Sequence, residues 1–184
     1  MPTREEAWAL LNQYTKSESL IKHALAVEAA MRAYARKFGE DEEKWGLVGL
    51  LHDFDYEQYP EPKDHPLVGS QILKEKGYPE DVIYAIKAHA QYLSLPRQSL
   101  MDKTLFAVDE LCGFMTAVTL VRPTKKVADV PIESVKKKMK DKAFARSVNR
   151  DEIRQGTAEL GVDLDEHIAF VVKAMSEVAD QLGL

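Results

Sequence analysis

An apolar run, Gly49 to Leu51, stops at His52 and Asp53, which set an imidazole and a carboxylate side by side. Both are good ligands for a borderline or hard divalent ion. Helix neighbours point about 100° apart, so such a pair can serve one ion only where the helix ends beside it. Further groups of the same kind lie in apolar, periodic stretches or at their edges: His23 before the pair, and His65, His89 and Asp109 after it. Asp109 makes the strongest demand. It sits within a long apolar segment, and an unpaired buried carboxylate costs several kcal/mol. It needs a cationic side chain, a helix cap or a metal. One shared cation explains these positions more economically than a set of separate accidents. His167 lies outside the pattern and reads as a surface or packing residue, and Cys112 reads as packing.

The elements that must position these groups read as helices throughout. Trp8, Leu11 and Tyr14 share a face in a short helix over 1–15. Thr15 and Glu18 form a candidate capping box for a helix running to about Phe38, closed by Gly39. Its stripe is Leu20, Ala24, Val27, Met31 and Ala35, which turns His23 inward. A helix from about Asp41 ends at the His52-Asp53 pair, and a polar, proline-bearing loop follows over 54–64. His65-Pro66 opens the next helix, to Gly77. Residues 79–90 put Val82, Ala85, Ile86 and His89 on one side. Ser99 and Asp102 cap a long apolar helix carrying Asp109 to about Val121. Three more helices are expected, over 131–142, 149–161 and from Asp163 onward. No alternating strand pattern persists, and no repeat or linker divides the chain.

The 184 residues suit a single domain with a core of its own. A net charge of −5 argues against general nucleic-acid binding over the whole surface, although residues 122–150 are rich in lysine and arginine. The single cysteine, Cys112, cannot form an internal disulfide, which points to a reducing, cytoplasmic setting. No signal peptide is expected at the start, and no apolar run reaches the roughly 18–20 residues of a membrane span.

The order His23, His52-Asp53, His65, His89, Asp109 resembles the HD-domain superfamily of metal-dependent phosphohydrolases, over roughly residues 17–121. The resemblance implies an all-α, single-domain helical bundle over 1–184, with residues 122–184 packed on the metal-binding core. It implies that His23, His52, Asp53 and Asp109 hold one ion and that Asp53 bridges to a second. His65 and His89 match the additional histidines of two-metal branches, and His65-Pro66-Leu67-Val68-Gly69 matches their His-Pro-x-x-Gly element. The nitrogen and oxygen donors suit iron or manganese, with zinc, cobalt or nickel possible. The implied activity is hydrolysis of a small phosphorylated molecule, a nucleotide or dinucleotide, by hydroxide generated at the ions.

Asp53 and Asp55 are the expected catalytic carboxylates, with Asp55 undecided between general acid, a partner that orients a ligand, and loop residue. Lys22, Arg122, Lys125 and Lys126 are candidate phosphate-binding groups. The expected partners are a small phosphorylated molecule, no nucleic-acid polymer and no membrane, in a monomer or homodimer. Two alternatives remain: a di-iron oxygenase, which shares the ligand order, and a non-catalytic nucleotide-binding domain, against which the complete ligand set argues.

Overall fold

Ten α-helices, two short 3-10 helices (Gln91–Leu93 and Val127–Asp129) and no strand make up the regular structure of residues 1–184 in the computed structural model of the protein. They are α1 (Arg4–Tyr14), α2 (Glu18–Phe38), α3 (Glu42–Leu51), α4 (Leu67–Glu75) and α5 (Glu80–His89). There follow α6 (Leu100–Leu120), α7 (Ile132–Lys140), α8 (Arg150–Leu160), α9 (Leu164–Ser176) and α10 (Ala179–Leu182). The all-α expectation holds, and no helix is long and apolar enough to cross a membrane.

Local chemistry sets most of the helix starts. Ser99 and Asp102 form a reciprocal capping box on α6. Asn149 and Asp163 accept backbone N–H groups at the starts of α8 and α9, and Asp41 does so for α3. A further capping box, Thr3 with Glu6, opens α1. The box expected from Thr15 and Glu18 does not form. Ser17 takes the N-cap position of α2 without a side-chain bond. The Thr15 hydroxyl donates instead to the carbonyl of Phe54 at 2.9 Å, securing the turn that follows Asp53. The expected final helix is two, α9 and the short α10, separated at Glu177 and Val178.

The two longest helices, α2 and α6, frame the core. α2 packs against α3, α6 and α9, and α6 against α5, α8 and α9. The approach of α3 to α2 needs a residue without a side chain. A Cβ on Gly49 would lie 2.8 Å from the Val27 carbonyl oxygen and 2.9 Å from the Glu28 nitrogen. These are backbone atoms that cannot swing aside, so the glycine sets how closely His52, three residues on, approaches α2. Gly156 does the same for α8 against Ala107 of α6, at 2.7 Å. His167 ties three helices together. The Ala107 carbonyl can only accept, so Nε2 of His167 carries the proton, at 2.9 Å, and Nδ1 accepts from the Tyr34 hydroxyl at 2.6 Å. The residue is wholly buried, so of its two expected roles packing is the one it fills.

Two outcomes follow for stability. Gly49→Ala should destabilise the fold by ~1–3 kcal/mol through overpacking. Thermal unfolding would show this as a drop of about 2–4 °C per kcal/mol. For His167, burial lowers the folded-state pKa below the usual imidazole value. Its contribution is therefore full above the unfolded-state pKa of roughly 6.5 and is lost as pH falls through the folded value. The stability difference between wild type and His167→Gln, followed by urea unfolding, should shrink on acidification from neutral pH. A pH-independent difference would contradict this assignment.

Candidate metal centre

The six expected ligands come from five separate stretches of chain. His23 lies on α2, His52 and Asp53 at the end of α3, His65 just ahead of α4, His89 in the last turn of α5, and Asp109 mid-way along α6. They gather as two triads, His23–His52–Asp109 and Asp53–His65–His89, with the donor atoms of each triad within 4.8 Å of one another. Asp109 Oδ1 is 3.0 Å from His23 Nε2 and 3.3 Å from His52 Nε2. Asp53 Oδ1 is 3.2 Å from Nε2 of both His65 and His89. The other oxygen of Asp53 lies 3.5 Å from His52 Nε2, so this one carboxylate faces both triads.

The rings are oriented from behind. His52 Nδ1 donates to the Gly49 carbonyl at 2.8 Å, and His89 Nδ1 to the Ile86 carbonyl at 2.5 Å. A carbonyl cannot donate, so in each neutral ring the Nδ1 proton is committed and the Nε2 lone pair faces the cluster. His65 is held by its Nδ1 to Asp55 Oδ1 at 2.7 Å. Imidazoles pinned through one nitrogen and presented through the other are the arrangement metal-binding histidines adopt. The donor set of imidazole nitrogens and carboxylate oxygens, without thiolate, fits a divalent cation.

Electrostatics point the same way. Burial would lower the pKa of His52, but Asp53 and Asp109 outweigh it and hold that pKa well above the ordinary imidazole value. Burial also opposes the charge on His65, yet Asp53 and Asp55 push its pKa up to about 9. Burial favours the neutral carboxyl of Asp53, and His52 more than offsets it, so the acid is held well below the usual carboxylate range. Asp109 follows the same pattern, with burial overcome by His52 and by a hydrogen bond to His23. The carboxylates stay ionised because positive charge is supplied among them, here by protonated imidazole. A cation accepting the lone pairs of the neutral imidazoles would supply it in place of those protons.

Asp55 occupies none of the space in front of the ligands. It is 1% exposed, and its second oxygen accepts the Gly69 N–H at 2.7 Å. A Cβ on Gly69 would lie 2.7 Å from that carboxylate, so the glycine makes room for the acid. With both oxygens engaged, Asp55 positions His65 and is not placed as a general acid.

The centre opens into a cleft of about 660 Å³. Groups that the sequence reading did not assign to a site line it: Tyr56, Tyr92, Glu110, Ser147, Val148 and Glu152. Glu110 follows Asp109 directly and was findable by adjacency. Burial and Asp109 push its carboxyl up to about 7. Glu152 lies in the first turn of α8, 43 residues further along the chain than Asp109. The expected phosphate-binding cations are not in this cleft. Lys22 pairs with Glu18 at 2.7 Å, one turn away on the same helix. Arg122 follows the far end of α6, roughly 16 Å of helical rise from Asp109 to Leu120, and reaches toward Ser134. Lys125 and Lys126 are exposed beyond it. A residue that follows a ligand-bearing helix in sequence is carried away from the ligand by the length of that helix. Cys112 is fully buried and free, as expected for packing.

The sequence model of the HD domain family matches residues 20–113, about half of the chain and all six candidate ligands. A protein named Ribonuclease Y from Desulfotalea psychrophila is 28% identical over 138 residues, 73% of this chain and 26% of that relative. Proteins of the same name from Oleidesulfovibrio alaskensis and Nitratidesulfovibrio vulgaris are 29% and 32% identical over 98 residues, 53% of this chain and 18% of each relative. The chain thus matches about a quarter or less of the length of these curated relatives. No solved structure matches it.

Removing Asp55 tests the positioning contact. Asp55→Ala leaves the buried His65 Nδ1 and Gly69 N–H without their acceptor, at about 2–4 kcal/mol of stability. Asp55→Asn keeps an acceptor oxygen and should lose less. Urea unfolding of chelator-treated protein measures both, and an Asp55→Ala midpoint equal to wild type would show that the carboxylate carries no such load.

Proposed function

Because the chain belongs to the HD domain family, we propose that it is a metal-dependent phosphohydrolase with a two-ion centre. In this reading His23, His52 and Asp109 hold one ion, His65 and His89 the other, and Asp53 both. The observation that carries it is the carboxylate of Asp53, which turns one oxygen toward His52 and the other toward His65 and His89. Divalent ions bound there would supply the Lewis acidity that makes water nucleophilic near neutral pH and offsets charge on a phosphate. Iron or manganese suits the nitrogen–oxygen donor set, with zinc, cobalt or nickel as substitutes.

The chain's own residues then have distinct tasks. Gly49, Ile86 and Asp55 fix the three rings through Nδ1, so the donor atoms do not reorient as substrate enters. Tyr92 donates to the His65 carbonyl at 2.6 Å and holds the rim of the cleft over the second triad. Tyr56 meets the His65 ring edge-on, with centroids 5.3 Å apart, and narrows the same side. Asp53 and Asp109 bring negative charge that matches bound cations and repels a free phosphate, so phosphate binding depends on the ions. A small phosphorylated substrate, a nucleotide or dinucleotide, fits a cleft of about 660 Å³. The name carried by the relatives adds RNA phosphodiesters to the substrates to be tried.

The test is metal analysis of protein purified without chelator, then a screen of phosphomonoesters, phosphodiesters, nucleotides and short RNA with Mn²⁺ or Fe²⁺ under anaerobic conditions. Wild type should retain about two ions per chain and release product from at least one class. Asp53→Ala should lose metal from both triads and at least ~10³-fold in kcat/KM, and His65→Ala or His89→Ala should empty mainly the second. A metal-loaded protein inert toward every ester would overturn the reading. Oxygen consumption with iron and a non-ester substrate would favour the oxygenase alternative.

A further inference from the structure

The walls of the metal cleft carry no lysine or arginine, and besides the histidines their ionisable groups include four carboxylates, Asp53, Asp109, Glu110 and Glu152. Any part of a substrate that extends past the reacting phosphate along these walls meets acid. Beyond Ser147 and Val148 the sign reverses. These two residues also wall a second cavity, of about 720 Å³, lined by Lys140, Lys142, Arg146, Arg150 and Arg154 against one carboxylate, Asp151. The two cavities are neighbours across a shared ridge.

The ridge is built rather than loose. Arg150, in the first turn of α8, donates to the carbonyls of Asp141, Phe144, Ala145 and Val148, and its guanidinium lies 5.0 Å from the Phe114 ring centroid. One side chain thereby folds residues 141–148 over α6. Asn149 N–H donates to Glu110 at 2.9 Å and pins the same segment to the rim of the metal cleft. Of the remaining cations Arg154 is paired with Asp151 at 2.9 Å. Lys140, Lys142 and Arg146 are exposed and face the concavity without a carboxylate of their own. Like charges around a concavity repel one another and are relieved by an anion, most effectively by a phosphate.

Resting on the hydrolytic reading of the metal centre, we propose that this basic cavity is a subsite for a further phosphate of the substrate. One phosphate reacts in the acidic cleft, and the next along the chain crosses the Ser147–Val148 ridge to Lys142, Arg146 and Lys140. The substrate class is therefore one with linked phosphates. An oligonucleotide and a nucleoside polyphosphate share that chemistry.

Two probes separate them: a fluorescently labelled oligoribonucleotide of five residues and inorganic tripolyphosphate. Binding of each to the full chain is measured against salt concentration, for wild type and for Lys142→Glu/Arg146→Glu, with Lys142→Ala/Arg146→Ala as the milder variant. All four substitutions are at exposed positions outside the metal centre, so metal content and turnover of a single-phosphate diester should not change. Wild type should bind at least one probe, more weakly as salt rises. The charge reversal should weaken that binding about tenfold or more and lower the salt slope by roughly 0.7 for each phosphate the variant no longer neutralises. Response to the oligonucleotide alone identifies a nucleic-acid chain, and response to tripolyphosphate alone a polyphosphate tail. Either result supports the subsite. Wild type that binds neither probe, or variants that bind as tightly as wild type, would overturn it. If no ester is hydrolysed while salt-sensitive binding is lost in the variants, the subsite stands and the hydrolytic reading falls.

Discussion

Two carboxylates that share a partly buried cluster repel each other and forgo much of their hydration, a cost of several kcal/mol unless positive charge is supplied between them. Asp53 and Asp109 are such a pair, and the surrounding structure is arranged to meet that demand. Four imidazoles face them through Nε2. No lysine or arginine lies among them. A protein that needed only to neutralise two acids would do so more simply with an arginine. Imidazoles offer neutral lone pairs, and that property is required to bind a metal.

Satisfying this constraint dictates how closely the helices approach. His52 faces the cluster from the end of α3, which lies near enough to α2 only because Gly49 has no side chain. His65 faces it from a turn secured by Asp55, which itself fits because Gly69 has none. Thr15 holds the backbone of the turn that follows Asp53, and that carries Asp55 itself, through the Phe54 carbonyl. His167, Tyr34 and Ala107 lock α9 and α2 to α6, the helix that carries Asp109. The cluster thus rests on short, directional contacts made by groups that contribute no donor atom to either triad.

The helices were legible because their apolar stripes repeat at the helical period and their caps are local. The candidate ligands were legible as a set: several imidazoles and a carboxylate recur at apolar faces in one family-like order, whereas a single buried imidazole can be satisfied by ordinary hydrogen bonds, as His167 is. Asp55 was ambiguous, since its neighbours in sequence are polar loop residues and its true partners, His65 and Gly69, are distant in the chain. Thr15 misled for a related reason. Its spacing to Glu18 suits a local cap, yet a carbonyl 39 residues away claims its hydroxyl. The basic residues were placed wrongly because proximity in sequence to a ligand was read as proximity in space. Lys22 and Arg122 turn away, while Lys142 and Arg146, from a segment with no ligand at all, reach the neighbouring cavity. Nothing local in the chain announces that Arg150 would fold this segment over α6.

The division of the molecule into an acidic, metal-suited cleft and a basic cavity beside it follows from that packing. The central claim is that Asp53 links two cations through its two oxygens. Anomalous X-ray diffraction from manganese-loaded crystals tests it most directly. The account predicts two manganese peaks roughly 3.5–4 Å apart, one among His23, His52 and Asp109, the other among His65 and His89, with Asp53 between them. A single peak, or two peaks with Asp53 touching only one, would contradict it.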